Sequence, residues 1–230
     1  MKSATFAEFF AGIGLVRDAI GPLGWVCTFA NDISEKKAEM YRARFGDGDL
    51  AVKDVAELRT SDLPAGLSLV TASFPCIDVS LAGNRAGLAG KHTGAYWPFF
   101  HLLQRYSEEN DAPTAILLEN VTGLVSSHGG ADLEKIIQSL NELGYRCDLV
   151  KVDAKWFVPQ SRPRLFVVAL QRDDQNMATD WDSRTTRLRP EPIQRFVSAH
   201  PELELGHVIL PDPPERIGDR TEFARIPSCG

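Results

Sequence analysis

The glycine turn Gly12-Ile13-Gly14, which follows a short apolar run, is the sequence feature that most constrains the fold. Residues 4–10 predict a strand, and a glycine turn leading from a strand into a helix is typical of ligand-binding α/β sheets. Glycine lets the backbone turn sharply and approach a bound molecule closely. The helix N-terminus that follows offers unpaired N–H groups to the polar end of a ligand. A glycine turn without a ligand is the alternative.

Short apolar runs alternate with helical patterns as far as Leu170. The runs that predict further strands are residues 25–31, 67–73, 115–119, 145–152 and 165–170. The patterns that predict helices are residues 34–45, with Ser34 as N-cap, 97–106 and 132–143. This alternation predicts an α/β fold with a mostly parallel sheet and helices on both faces. Such sheets bind ligands at the carboxyl ends of their strands.

The character of the sequence changes after Gln171. Prolines and arginines become frequent, and no strong strand pattern recurs. We therefore expect residues 1–172 to form the folded domain and residues 173–230 to form an extended tail or linker.

Composition limits the possible functions. The chain has 230 residues and a net charge of −6, which argues against a large basic face but allows one local basic cleft. Four cysteines at irregular spacings, with no CxxC pair, argue against a zinc site or a disulfide framework. No signal peptide or membrane-length apolar stretch is seen, so we expect a cytoplasmic protein without a membrane partner.

Two aspartates stand where a nucleoside could be bound. Asp32 ends the second predicted strand, at the distance from the glycine turn where a carboxylate can accept hydrogen bonds from ribose hydroxyls. Asp54 could accept a bond from an adenine amino group. The alternatives are a helix-capping role for Asp32, because Ser34 begins a helix nearby, and a plain loop position for Asp54.

A cysteine follows the strand at residues 67–73. Cys76 lies in a loop at a strand's carboxyl end, where a nucleophile is often placed, and Pro75 stiffens the approach to it. The alternative is a buried structural cysteine. Residues 80–96 contain four glycines together with polar and basic side chains, which predicts a mobile, partly positive flap.

Two charged motifs follow. Glu119 closes a very apolar strand, where a carboxyl can have a raised pKa and act as an acid. Arg162 and Arg164 stand at alternate positions before the last predicted strand, so they point the same way along an extended chain. Such a pair can bind a carboxylate, a phosphate or a base carbonyl. Solvent-exposed side chains are the alternative for both motifs.

In this order and spacing, the motifs resemble the DNA cytosine-5 methyltransferase family over roughly residues 4–170. The resemblance is carried by Phe10-Ala11-Gly12-Ile13-Gly14, Pro75-Cys76, Glu119-Asn120-Val121 and Gln160-Ser161-Arg162-Pro163-Arg164. It implies a doubly wound, mostly parallel seven-stranded Rossmann-like sheet with one antiparallel strand. It also implies methyl transfer from S-adenosylmethionine to carbon 5 of cytosine in DNA, which leaves S-adenosylhomocysteine.

The resemblance also assigns residue roles. The target base is flipped out of the duplex, and Cys76 attacks carbon 6 of its ring. Glu119 contacts ring nitrogen 3 and the amino group, Arg164 holds the carbonyl oxygen, and Arg162 supports the site. The residues implied at the cofactor are Phe10, Ala11, Gly12, Gly14, Asp32, Ile33, Asp54, Val55 and Pro75. The residues implied at the nucleic acid are Ser80, Arg85 and Lys91.

Three positions depart from the family pattern. Ile77 stands where the family usually has glutamine, Asp32 where it usually has glutamate, and Ile33 where it often has an aromatic residue. These differences concern the detail of cofactor binding rather than its existence.

Family members continue into a target-recognition domain and end with a segment that completes the cofactor fold. No such segment is recognisable in residues 173–230. We therefore expect double-stranded DNA as one partner and a second polypeptide, or a further carboxyl-terminal part, as another. A bacterial modification system, acting on nucleoid DNA, is the expected setting. The alternatives are a cytosine-5 methyltransferase acting on transfer RNA and a non-catalytic cofactor-binding fragment.

Overall fold

The computed structural model of the chain describes residues 4–75 and 95–171. Its strands are β1 (Thr5–Phe9), β2 (Val26–Asp32), β3 (Leu50–Val52), β4 (Leu69–Ala72), β5 (Ala115–Val121), β6 (Tyr145–Asp153) and β7 (Pro163–Gln171). Its helices are α1 (Leu15–Ile20), α2 (Glu35–Phe45), α3 (Tyr96–Glu109) and α4 (Ala131–Glu142). Among the described residues, no helix is both long and apolar enough to cross a membrane.

The seven strands form one sheet in the order β3-β2-β1-β4-β5-β7-β6. The pairs from β3 through to β5 are parallel, whereas β7 runs antiparallel to both of its neighbours, β5 and β6. The expected seven-stranded, mostly parallel sheet with one antiparallel strand is thereby confirmed.

Each predicted strand and helix is present, with ends that differ by a few residues, and two differences need a physical reason. β3 was not predicted, because its three residues are too few to form a recognisable apolar run. β7 begins at Pro163 instead of residue 165, so Arg164 lies inside the strand. Proline is tolerated as the first residue of a strand, and pairing with β5 and β6 continues the strand to that point.

Two hydrophobic clusters cover the sheet. Neighbouring residues of β1 belong to different clusters, Phe6 to the smaller and Ala7 to the larger, as expected where a strand alternates between two buried faces. The larger cluster includes the buried aromatic side chains of α3, and the smaller one is built around Tyr41 of α2. The β1–β2 part of the sheet is therefore covered on both faces, and the ends of the strands are left for a site.

The turn after β1 is fitted closely to α2. Gly14 has φ 83, and a Cβ atom there would lie 2.5 Å from Cε2 of Phe45 and 2.9 Å from Cε2 of Tyr41. Gly12 has φ 62, but a Cβ atom there would meet nothing within 4 Å. Both glycines are required by backbone conformation, whereas only Gly14 is also required by packing.

We predict that Gly14→Ala costs roughly 2–4 kcal/mol of unfolding free energy, because left-handed strain adds to overpacking against the two rings. Gly12→Ala is the matched control and should cost about 1 kcal/mol, from strain alone. Urea denaturation of both variants measures the difference. Equal losses for the two variants would contradict the packing of Gly14 against α2.

Candidate functional site

The candidate residues converge at the carboxyl ends of the parallel strands, and this side of the sheet is called the site edge below. The glycine turn follows β1, Asp32 ends β2, Pro75 lies beyond β4, and Glu119 is near the end of β5. Because β7 is antiparallel, Arg164 at its start reaches the same edge. The topology thus brings together residues from five separate parts of the sequence.

Asp32 ties the glycine turn to the end of β2. Its Oδ2 accepts a hydrogen bond from the Gly12 N–H at 2.8 Å, and its Oδ1 accepts one from the Ser34 N–H at 2.8 Å. The side chain is only 3% exposed, and the Lys37 ammonium lies 3.6 Å from Oδ2. Asp32 therefore shapes both the turn and the entry to α2. Contact with a ribose hydroxyl would use the remaining lone pairs of the same oxygens.

A second loop is held at this edge by the buried Asn31. Its Nδ2 donates to the carbonyl oxygens of Ala51 at 3.0 Å and Lys53 at 2.9 Å. The loop continues to Asp54, whose Oδ1 accepts a bond from the Ala56 N–H at 2.9 Å. Asp54 thus caps a short 3-10 turn, a role that the sequence did not predict for it, and the residue is also exposed.

Apolar side chains border the two carboxylates. Ile33 is 66% exposed directly after Asp32, whereas Val55 is only 4% exposed, beneath the surface. Phe10 is half-buried and has φ 55, a left-handed conformation that non-glycine residues rarely adopt. Such strain is common where a backbone approaches a ligand. An open turn, exposed carboxylate and apolar surface together fit a nucleoside-like ligand.

Glu8 is a buried carboxyl beneath α1. Its Oε1 accepts a hydrogen bond from the Val16 N–H at 3.2 Å, and its Oε2 is buried without a hydrogen-bond partner among the described residues. Gly14 has no side chain with which to cap α1, so Glu8 satisfies a free N–H of the first turn instead. Burial raises the pKa of Glu8 to about 7, against the opposing effects of the Val16 and Arg17 N–H groups and the Arg17 charge.

Glu119 and Arg164 form an ion pair. Arg164 Nε lies 2.7 Å from Glu119 Oε1, and both side chains are partly exposed, at 22% and 28%. The pairing of β5 with β7 places Val121 opposite Arg164, which brings the two charged side chains within reach. The pair therefore presents a carboxylate and a guanidinium side by side at the open edge of the sheet.

Asn120 connects β5 to the segment that leads to Cys76. This buried side chain donates from Nδ2 to the carbonyl oxygen of Phe74 at 3.3 Å and accepts the Val121 N–H at 2.8 Å. Phe74 is itself buried, and the half-buried Pro75 follows it. The backbone is thus fixed next to Glu119 up to the residue before Cys76.

Four predicted site residues fall outside the described ranges. They are Cys76, Ser80, Arg85 and Lys91. Arg162 is described and exposed, and the ion pairs of the described residues join Glu119 to Arg164 but do not include Arg162.

Comparison with known proteins decides the family. A model of the C-5 cytosine-specific DNA methylase family matches residues 4–210. The chain belongs to this family. It is 32% identical over 200 residues to the type II methyltransferase M.HpaII of Haemophilus parainfluenzae, covering 84% of this chain and 51% of that protein. It is 30% identical to the type II methyltransferase M.DsaV of Dactylococcopsis salina, covering 84% of this chain and 51% of that protein.

Solved structures agree with this fold. The S. pombe Dnmt2 methyltransferase superposes with a TM-score of 0.62 at 24% identity, over 82% of this chain and 56% of that one. The Entamoeba histolytica methyltransferase EhMeth gives a TM-score of 0.63 at 19% identity, over 78% of this chain and 56% of that one. The methylase chain spans about half the length of the curated relatives it matches.

Family membership confirms the predicted cofactor, S-adenosylmethionine. The residues of the methylase chain fit it, because the open backbone at Gly12 leaves room for a ligand and Ile33 offers an exposed apolar surface. Asp32 ends β2 and directly precedes Ile33, and Asp54 follows β3, the next strand along the chain.

Sequence reasoning missed Glu8 and Asp153, and it gave no role to Asn31 and Asn120, which stand inside the motifs Asn31-Asp32 and Glu119-Asn120-Val121. The one available signal was a polar residue inside or closing an apolar strand. That signal marks a buried polar group, but it does not say which backbone groups the side chain will bind.

The raised pKa of Glu8 predicts a pH-dependent stability. Because the folded-state pKa of about 7 exceeds the ordinary value of 4.5, folding favours the protonated carboxyl. The contribution of Glu8 is complete below about pH 4.5 and is lost as the pH rises through 7. Glu8→Gln removes this loss, so at pH 8 the variant should be more stable than the parent by up to roughly 3 kcal/mol.

Urea denaturation from pH 4 to pH 8 measures this difference, with the exposed Glu108→Gln as control. A stability difference between parent and Glu8→Gln that does not change with pH would show that Glu8 does not titrate in this range.

Proposed function

We propose that the methylase chain is the catalytic half of a DNA (cytosine-5-)-methyltransferase, which transfers a methyl group from S-adenosylmethionine to carbon 5 of cytosine. The observation that supports this most directly is the Glu119–Arg164 ion pair at 2.7 Å. It lies beside the backbone segment, held by Asn120, that leads to Cys76. A cytosine ring offers matching polar groups on one edge, namely a ring nitrogen and amino group beside a carbonyl.

Carbon 5 of cytosine is a poor nucleophile toward a methyl group. The reaction therefore requires a nucleophile from the enzyme, which activates the ring by bonding to carbon 6. In our proposal the Cys76 thiolate forms a bond to carbon 6, and the electron pair of the ring double bond moves to give an enamine-like carbon 5. Carbon 5 then bonds to the methyl group that the bound cofactor supplies in activated form. Loss of the carbon 5 proton to a base and elimination of the Cys76 sulfur restore the ring.

Glu119 and Arg164 recognise and activate the base in this scheme. Glu119 accepts a hydrogen bond from the amino group and shares a proton with ring nitrogen 3, and this proton stabilises the electron-rich ring after attack. Arg164 donates to the base carbonyl while its Nε remains on Glu119, since a guanidinium carries five N–H donors. Arg162 supports the same edge from the preceding loop.

The cofactor is proposed to lie over the turn at residues 10–14. Asp32 accepts bonds from the ribose, Asp54 from the adenine amino group, and Ile33 contacts the adenine ring. Ile33 supplies apolar contact without aromatic stacking, in contrast to the family pattern.

Duplex DNA is the proposed substrate because the curated relatives are type II methyltransferases of a family described as DNA methylases. The target base must leave the helix, at a cost of a few kcal/mol in stacking and pairing. Ser80, Arg85 and Lys91 are proposed to contact the nucleic acid. Assays that compare duplex DNA with transfer RNA distinguish this substrate from the RNA alternative.

A second polypeptide that supplies target recognition remains a prediction. An acidic chain with one basic cleft has few phosphate contacts to offset the cost of base flipping. Robust turnover by the 230-residue chain alone on mixed-sequence duplex DNA would contradict the need for a partner.

We predict that Cys76 forms a covalent adduct with duplex DNA carrying 5-fluorocytosine at the target position, because fluorine cannot leave as the proton does. Cys76→Ser should abolish both the adduct and methyl transfer, whereas Cys229→Ser, the matched control at another cysteine, should retain both. Denaturing gel shifts detect the adduct, with any needed partner present. Methyl transfer by Cys76→Ser at the parent rate would rule out this mechanism.

We predict that Asp32→Ala weakens S-adenosylhomocysteine binding at least about tenfold, or ~1.4 kcal/mol, because the turn and the ribose both lose an acceptor. Calorimetry compares it with Asp47→Ala, an exposed carboxylate beyond α2. If the parent binds and Asp32→Ala binds equally well, Asp32 does not belong to the cofactor site.

A further inference from the structure

The loop between β6 and β7, residues 154–162, carries Arg162 and leads directly into Arg164. Asp153, the last residue of β6, lies opposite Pro163, the first residue of β7. Proline has no N–H group, so this end of the hairpin cannot be closed by the usual backbone bond from that residue. The next backbone bond, from the Ala154 N–H to the Arg162 carbonyl, is long at 3.4 Å.

The Asp153 side chain supplies the missing closure. Its Oδ1 accepts the Arg162 N–H at 2.7 Å and the Lys155 N–H at 3.1 Å. Its Oδ2 accepts the Ser161 hydroxyl at 3.0 Å and lies 3.8 Å from the Lys155 ammonium. One nearly buried carboxylate, 8% exposed, thus holds both ends of the loop.

The charge of Asp153 suits this role. Desolvation acts to raise its pKa, but hydrogen bonds from the Lys155 and Arg162 N–H groups and the Ser161 hydroxyl outweigh it, so the pKa lies below its ordinary value. The carboxylate therefore stays ionised, and its bonds to the N–H groups are of the stronger, charge-assisted kind.

The closed loop connects directly to the ion pair at the site. Val152, next to Asp153, is the register partner of Arg164, whose Nε is ion-paired with Glu119. Arg164 also donates from Nη1 to the Pro163 carbonyl at 2.8 Å, so its side chain depends on the backbone at the loop's end. Loosening the loop would free the first residues of β7 and, with them, the guanidinium.

We propose that Asp153 is a positioning residue for the reaction, which closes the β6–β7 loop and thereby holds Arg164 against Glu119. Asp153 touches neither the base nor the cofactor in this scheme and acts through Arg164. The significance of the contact for catalysis rests on the proposed function, whereas the contact itself does not.

The test compares three variants of the full chain. Asp153→Ala removes every acceptor, Asp153→Asn keeps an amide oxygen for the two N–H groups, and Ser161→Ala removes one hydroxyl and is the mildest change. The main readout is the rate of hydrogen exchange at the Arg164 Nε–H group, measured by NMR, because Nε is the atom that pairs with the Glu119 carboxylate. Thermal melting verifies that each variant is folded.

We expect Asp153→Ala to speed exchange of the Arg164 Nε–H at least tenfold, with Ser161→Ala close to the parent and Asp153→Asn between them. Where methyl transfer is measurable, Asp153→Ala should lower kcat more than it raises KM, and Asp153→Asn should restore part of the loss. Unchanged Arg164 exchange in folded Asp153→Ala would overturn the proposal, as would an unchanged kcat.

The same experiment separates this proposal from the proposed function. If Cys76 forms no adduct but Arg164 exchange responds to Asp153→Ala, the methyltransferase mechanism fails and the positioning of Arg164 by Asp153 stands. If the adduct forms and Arg164 exchange does not respond, the mechanism stands and the role of Asp153 fails.

Discussion

The turn proposed to bind the cofactor depends on the hydrogen bond from the Gly12 N–H to the Asp32 carboxylate. This bond joins the loops after two neighbouring parallel strands, and it fixes a turn whose left-handed glycines could otherwise adopt many conformations. Asp153 repeats the same arrangement at the β6–β7 loop, where a nearly buried carboxylate again binds backbone N–H groups. In both places a carboxylate holds a loop that regular strand pairing leaves open.

Function and stability are in tension at this edge. Glu8 keeps a buried oxygen that lacks a partner among the described residues, and its charged form is unfavourable at neutral pH. Phe10 adopts a left-handed conformation, and Gly14 must lack a side chain to pack against Phe45. Each feature costs folding free energy, and all three residues lie in or next to the turn proposed to bind the cofactor, where local strain is common.

The direction of the antiparallel strand β7 decides where the Glu119–Arg164 ion pair lies. A parallel strand at this position would carry the residues that precede it to the opposite edge of the sheet. Because β7 runs backwards between β5 and β6, its first residues lie beside the end of β5, and Arg164 meets Glu119. The ion pair is thus a direct consequence of strand direction.

The sequence pattern was enough to predict most of the strands and helices, the glycine turn after β1, and Asp32, Glu119 and Arg164 as candidate site residues. These depend on local signals, namely apolar periodicity, glycine, and a charged residue at a strand end. Only the tertiary structure decided that Asn120 holds Phe74, that Glu8 caps α1 and that Asp153 closes the last hairpin. Each of these contacts joins a side chain to a backbone group whose position is set by sheet order and register, which short-range patterns do not encode.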